Sequence, residues 1–246
     1  MRKNFVLLSL ALAATVSLSG CFIDINDDGD WFGCYRADGP VVDADLEVPD
    51  FTGIDLEMSA RVEITFGPVQ AVSMEGKSDI VDEVDLDVDN GIWRIRTNDC
   101  IRNVDDLTFF ITTPNLETIR LSSSGDIFST NVLVVNDLEI TNSGSGEIDI
   151  AVEGDDLDVD ITGSGDINME GQADELNLNI SGSGDFTGFD LSTNRADVRV
   201  SGSGDAEVRA IDFLNIRISG SGDVYFKGNP VLDTHITGSG DVIDAN

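Results

Sequence analysis

The sequence predicts an all-β fold: a single-chain parallel β-solenoid, right-handed and β-helix-like, built from Ser-Gly-Asp coils of about 18–21 residues. Three observations predict it. Ser-Gly followed by a carboxylate recurs seven times, with the acid at Asp126, Glu147, Asp166, Asp185, Asp205, Asp223 and Asp241, at spacings of 21, 19, 19, 20, 18 and 18 residues. Apolar residues alternate with polar ones before the acid, as in Leu157, Val159 and Ile161 or Leu214, Ile216 and Ile218, which is the period of a strand with one buried face. A second apolar column starts just past the acid: Ile127, Ile148, Ile167, Phe186, Ala206, Val224 and Val242. A hairpin meander has no need of one turn at one phase seven times, whereas stacked coils do, because each corner lies on the corner below. At about 4.8 Å per coil, seven coils make a rod of roughly 30–35 Å, and the crossover rule makes it right-handed. The corner glycines are assigned to backbone angles that a Cβ resists. The two extra residues of the second coil are assigned to a bulge at Thr141-Asn142-Ser143.

Residues 1–20 read as an export signal. Arg2 and Lys3 precede the apolar run Phe5 to Leu18, which is too short to span a bilayer stably. Leu18-Ser19-Gly20-Cys21 resembles the bacterial lipobox, which makes Cys21 the lipidated first residue of the mature chain and its acyl chains (palmitate among them) the membrane anchor. Phe22 stands where that signal class places an Asp for inner-membrane retention, so the resemblance implies the outer membrane, with the chain facing either the cell surface or the periplasm.

Residues 21–44 form an acidic tether. Asp24-Ile25-Asn26-Asp27-Asp28-Gly29-Asp30 fits the opening of a calcium loop, with Asp24, Asn26, Asp28 and Asp30 as ligands, but the twelfth position, where an EF-hand needs Glu, is Tyr35. The segment is therefore either a partial calcium loop or a solvated linker. Cys34 and Cys100 are the remaining thiols. In an oxidising envelope they are either a disulfide, closing a loop worth about 3 to 4.5 kcal/mol on the chain-entropy model, or two thiols too far apart to pair.

Residues 45–106 supply N-terminal β coils and residues 107–246 the regular repeats. Phe51-Thr52-Gly53-Ile54 opens the first coil, and Ser59-Ala60-Arg61-Val62-Glu63-Ile64 is a degenerate first corner. Val84 to Val88 and Gly91-Ile92-Trp93-Arg94-Ile95 read as a connecting pair of strands, and Thr112-Thr113-Pro114-Asn115-Leu116 leads into the first Ser-Gly-Asp. On these features residues 45 to about 230 resemble the head GIN domain family of auto-transporter adhesins. The resemblance implies a β-helical fold and an adhesive envelope role, and brings no catalytic residues with it.

Composition narrows function further. The 246 residues carry 14 Lys plus Arg against 47 Asp plus Glu, a net charge of −33. Such a polyanion repels nucleic acid. One histidine and three lysines leave little stock for acid–base catalysis.

Three constellations could carry chemistry. The seven corner acids are either caps of the turn amides or a ladder of calcium sites shared by adjacent coils. The tether motif is the second. The third is Arg199, Arg217 and His235, six positions before the last three acids and on one face, with Asp197, Asn215 and Asp233 two positions behind; it is either a cross-strand charge ladder or a groove for anionic glycan. The sequence thus favours a non-enzymatic, lipid-anchored adhesion or scaffolding module of the cell envelope, requiring no cofactor, with calcium as the one candidate stabilising ion and a glycan or envelope protein as the candidate partner. A polyuronate-active, lyase-like β-helix enlisting Asp205, Asp223 and Arg217 is the alternative. The last coil exposes strand edges that a partner, a second copy or its own tail must cover.

Overall fold

A computed structural model describes residues 34–102, 104 and 107–246. Cys21 and the motif Asp24, Asn26, Asp28 and Asp30 lie outside the described residues.

Strands β1 (Tyr35–Arg36) and β2 (Val41–Leu46) lead into a first coil, β3 (Gly53–Leu56) and β4 (Arg61–Phe66). There follow β5 (Ala71–Lys77), the helical turn α1 (Ser78–Val81), β6 (Val88–Asp89), β7 (Ile92–Ile95), β8 (Ile101–Arg102) and β9 (Thr108–Thr113). Next come β10 (Thr118–Leu121), β11 (Asp126–Ser129), β12 (Leu133–Val134) and β13 (Asp137–Asn142). Strands β14 (Ile148–Ile161), β15 (Ile167–Ile180), β16 (Phe186–Val200) and β17 (Ala206–Ile218) each run through the second corner without a break. The chain closes with β18 (Val224–Lys227), β19 (Val231–Ile236) and β20 (Val242–Asp244).

These strands stack into the two parallel faces of a β-solenoid. One face runs β7, β3, β10 and β13, then the second halves of β14 to β17, and ends at β19. The other runs β9, β4 and β11, then the first halves of β14 to β17, and ends at β18 and β20. The alternation read from the sequence is what fills the space between them. Ile54, Ile119, Ile140, Val159, Leu178, Val198 and Ile216 form one buried column, and Val62, Ile127, Ile148, Ile167, Phe186, Ala206 and Val224 face it from the other side. Each Val, Leu, Ile or Phe among them contributes roughly 1.5–3 kcal/mol by leaving water.

At the N-terminal end, stack order and chain order part company. The β3–β4 coil lies between the β7–β9 layer and the β10–β11 coil, so of the connecting pair in the sequence reading only β7 enters a layer beneath the first coil, beside β9, while β6 lies antiparallel against β7. Beyond β9 the sheet turns antiparallel through β5 and β2. Trp93, fully buried, seals this end against Phe51 and Phe109, both with ring centroids 5.8 Å away, and donates its Nε1–H to the Asp85 carbonyl at 2.8 Å. Cys34 and Cys100 form a disulfide with Cα atoms 4.6 Å apart, fixing the start of the described chain beside this layer.

Two local expectations are corrected. The two extra residues are not at Thr141-Asn142-Ser143. Phe128 pairs with Asp149, an offset of 21, while Leu133 pairs with Val152, an offset of 19, so the excess falls between Ser129 and Leu133 on the opposite side of the coil. There Thr130 donates its N–H to the Ile64 carbonyl at 2.8 Å, and Asn131 bonds the Phe66 backbone. Asn142 instead sits fully buried in the apolar column, its Nδ2 donating to the Gly146 and Asp166 carbonyls at 2.9 and 3.2 Å and its Oδ1 accepting from the Gly144 N–H at 3.2 Å.

The corner glycines are also needed for a different reason. Among the described glycines only Gly91, Gly171 and Gly228 have positive φ, and none belongs to a Ser-Gly-acid corner. A Cβ at Gly204 would instead overlap the Gly184 carbonyl oxygen one coil below. Close stacking, and not backbone angle, demands glycine there.

Candidate functional site

The corner acids form a ladder of hydrogen bonds between coils, interrupted once, at Glu147. Asp126 Oδ1 accepts the Glu147 N–H at 3.0 Å, and Asp166 Oδ1 accepts that of Asp185 at 2.8 Å. The Asp185, Asp205 and Asp223 carboxylates take the N–H groups of Asp205, Asp223 and Asp241 in the same way, each at 2.7 Å. Glu147 carries one methylene more than Asp, and its carboxylate bonds the Asn168 side-chain amide instead. Each Asp thus neutralises part of its charge against an amide of the next coil, which is how a column of like charges is tolerated. Among the described residues no three of His, Cys, Asp and Glu converge as a metal site. Asp241 ends the ladder at the C-terminal face.

The basic track is assembled as its spacing implies. Arg199 stands in register with Arg217, and Arg217 with His235. Asp197 lies between the arginines: Arg199 Nη2 is 2.9 Å from its Oδ1 and Arg217 Nη1 is 3.5 Å from its Oδ2, while Asn215 Nδ2 donates to Oδ2 at 2.6 Å. Both arginines are therefore partly neutralised, though about half of each side chain stays exposed. Asn179, Arg199, Arg217 and His235, with Ser201 and Ser219, line a shallow open groove of about 290 Å³.

A second groove, of about 430 Å³, runs along the opposite corner between Val134, Asn136, Gly154, Asp174, Asn194 and Ile211. Asn194 Nδ2 donates to Asp174 Oδ1 at 2.7 Å, and the Asp155 N–H to the Asn136 carbonyl at 2.9 Å. The sequence reading missed this column. Its signal was present, since Asn136, Asp155, Asp174, Asn194 and Asp212 recur at spacings of 19, 19, 20 and 18. Beside it Asp137, Asp156 and Glu175 stack in register. Partial desolvation, and then the charges of Glu175, Asp137, Asp155 and Asp158, push the Asp156 carboxyl above its usual range. Arg195 caps that column by pairing with Glu175 at 3.1 Å.

Solved structures share this architecture. A putative adhesin from Bacteroides fragilis superposes with a TM-score of 0.80 at 24% identity, covering 84% of this chain and 98% of its own. A putative lipid binding protein from Parabacteroides distasonis gives 0.69 at 22% identity over 85% and 99% of the two chains. A putative adhesin from Parabacteroides merdae gives 0.69 at 16% identity over 86% and 100%. None of the curated proteins matches this sequence. The family described as "Putative auto-transporter adhesin, head GIN domain" matches residues 50–230, which hold the coils from β3 to β18, the acid ladder as far as Asp223 and both arginines of the track, and the chain belongs to that family.

Proposed function

We propose that this protein is a non-enzymatic binding rod of the bacterial envelope, anchored through lipid on Cys21 in the outer membrane and acting in adhesion or as a scaffold. Membership of the adhesin family makes it a cell-envelope or surface protein. The observation that carries the non-enzymatic reading is the near-uniformity of the coils: Asp126, Asp166, Asp185, Asp205 and Asp223 all use one carboxylate oxygen for the same structural bond. A catalytic centre needs one coil to differ, and the one acid that departs, Glu147, spends its carboxylate on the Asn168 amide. The lyase reading would recruit Asp205, Asp223 and Arg217, but each of these already holds a partner in the stack.

Binding falls to the exposed flanks. The Arg199, Arg217 and His235 groove suits an extended anionic glycan, whose carboxylates would compete with Asp197 for the guanidinium groups. A lipid-binding role of the kind named for the Parabacteroides distasonis protein would need an apolar cavity, and the space between the two faces is filled by buried aliphatic side chains.

Protease shaving of intact cells, with permeabilised cells as control, tests the placement. Loss of the chain from intact cells puts the rod outside and supports adhesion. Protection until permeabilisation puts it in the periplasm and leaves the scaffold role. Unsaturated product from polyuronate would overturn the non-enzymatic reading.

A further inference from the structure

The two ends of the rod are unlike. At the N-terminal end, among the described residues, one face finishes at β2, which carries Asp43 and Asp45 between Pro40 and Pro49, and the other at β6, a two-residue strand ending in Asp89, features that discourage strand addition. At the C-terminal end β19 pairs only with β17 and β20 only with β18 among the described residues. Leu232 and Ile236 are 43% and 44% exposed there, although the equivalent positions Leu214 and Ile218 one coil below are buried. Among the described residues little covers them. Asn246 bonds Gly228 through its side-chain amide, at 2.9 and 2.8 Å, and lies beyond β20, not over β19.

The edge of β19 is self-complementary. Thr237 donates its N–H to the Ile218 carbonyl at 2.8 Å, so along an extended strand the odd-numbered residues bond inward to β17. Leu232, Thr234 and Ile236 then turn their N–H and C=O groups to the open edge. We propose that a second copy of this chain pairs antiparallel with β19 across a two-fold axis at Thr234. Thr234 faces its own copy, and Leu232 faces Ile236 of the other copy twice, all three as hydrogen-bonded pairs whose side chains extend the buried column. Asp233 and His235 fall between them as non-hydrogen-bonded pairs, the closer kind, so that each carboxylate meets an imidazole across the axis.

Neighbouring registers do not offer this. An axis at Asp233 sets Asp against Asp, and one at His235 sets His against His. The same strand cannot add to the N-terminal end of another rod without meeting Asp43 and Asp45 on β2 or the two-residue β6 with its Asp89, and a two-fold contact uses up the β19 edge of both copies, so the contact closes as an isologous dimer and does not grow into a fibre. The two rods then run in opposite directions from a shared tip, with their Cys34 ends at the far extremes.

The test uses the full chain purified in detergent. Asp233→Cys and His235→Cys variants carrying different tags are oxidised separately and mixed; residues so paired stand about 4.5 Å apart, within disulfide reach, whereas 233 and its own copy lie on a diagonal of about 7–8 Å. A cross-linked heterodimer in the mixture alone supports the register, and cross-linking of Asp233→Cys with itself overturns it. In sedimentation, His235→Asp should weaken self-association by about tenfold or more, and the swapped double variant Asp233→His/His235→Asp should restore it. A parent chain that is monomeric at tens of micromolar, or that forms open-ended oligomers, overturns the proposal, as does a dimer indifferent to both substitutions.

Discussion

The Asp205 carboxylate accepts the backbone N–H of Asp223 at 2.7 Å, joining two acids that stand 18 residues apart in sequence and one coil apart in space. Like charge and hydrogen bond act here in opposite directions. Asp205→Ala removes the acceptor and strands an amide at the corner, and should cost about 1–2 kcal/mol. Asp205→Asn keeps an oxygen there and relieves repulsion along the column, so it should lie close to the parent in urea unfolding. Equal losses in the two variants would assign the effect to charge and not to the bond.

Asp156 supplies a pH test. Its raised pKa means that the folded chain holds this proton more tightly than the unfolded chain does. The ionised form therefore costs stability above that pKa, and the cost disappears as pH falls through it. Asp156→Asn should melt higher than the parent at neutral pH, and the two should converge below the ordinary carboxylate range of about 3.9. Melting curves that keep a constant separation at every pH would place the effect outside titration.

The disulfide sets a third expectation. Cys34 and Cys100 are 66 residues apart, and opening that loop removes roughly 3 to 4.5 kcal/mol on the chain-entropy model. The paired Cys34→Ser/Cys100→Ser variant should lose stability by that order in denaturant, with the C-terminal coils retaining their strand signal in circular dichroism. Local fraying of the N-terminal layers would appear as early exchange of amides in β1 and β8.

How much of this was legible in the sequence depended on whether a feature repeated. The columns through Ile161 and Ile167 were readable because each residue recurs at the coil period and alternates within the strand. The layer of β7 and β9 carries no Ser-Gly-acid corner, so its place beneath β3 and β4 shows only in the sheet register. The insertion near Thr130 was misplaced because that motif marks one corner of the coil and is silent about the other. At Gly204 the residue type was read correctly and the cause was not: the neighbour that excludes a Cβ is the Gly184 carbonyl, 20 positions away, which no local rule reaches.

Calcium is tested most simply by melting. Each ladder Asp from Asp166 to Asp223 commits one oxygen to an amide, and no cluster of three ligands forms among the described residues, so divalent ions should act as a screening atmosphere. Melting temperatures in chelator and in roughly millimolar calcium should then agree to within the small shift that magnesium also gives. A rise specific to calcium would return the corner acids, or Asp24, Asn26, Asp28 and Asp30 in the tether, to the status of ligands.

The common corner and register that link coil to coil from β13 to β19 also bear on how such a rod changes its reach. A tandem duplication of one 18- or 19-residue unit, copied from Asp205 to Gly222 for instance, would enter the stack with the same corner acid and glycines and meet the same neighbours on both sides. The insertion lengthens the molecule by about 4.8 Å and leaves the disulfide-bound base and the terminal edge untouched. Reach is thus a trait that slipped replication can adjust in fixed steps, without remaking either end.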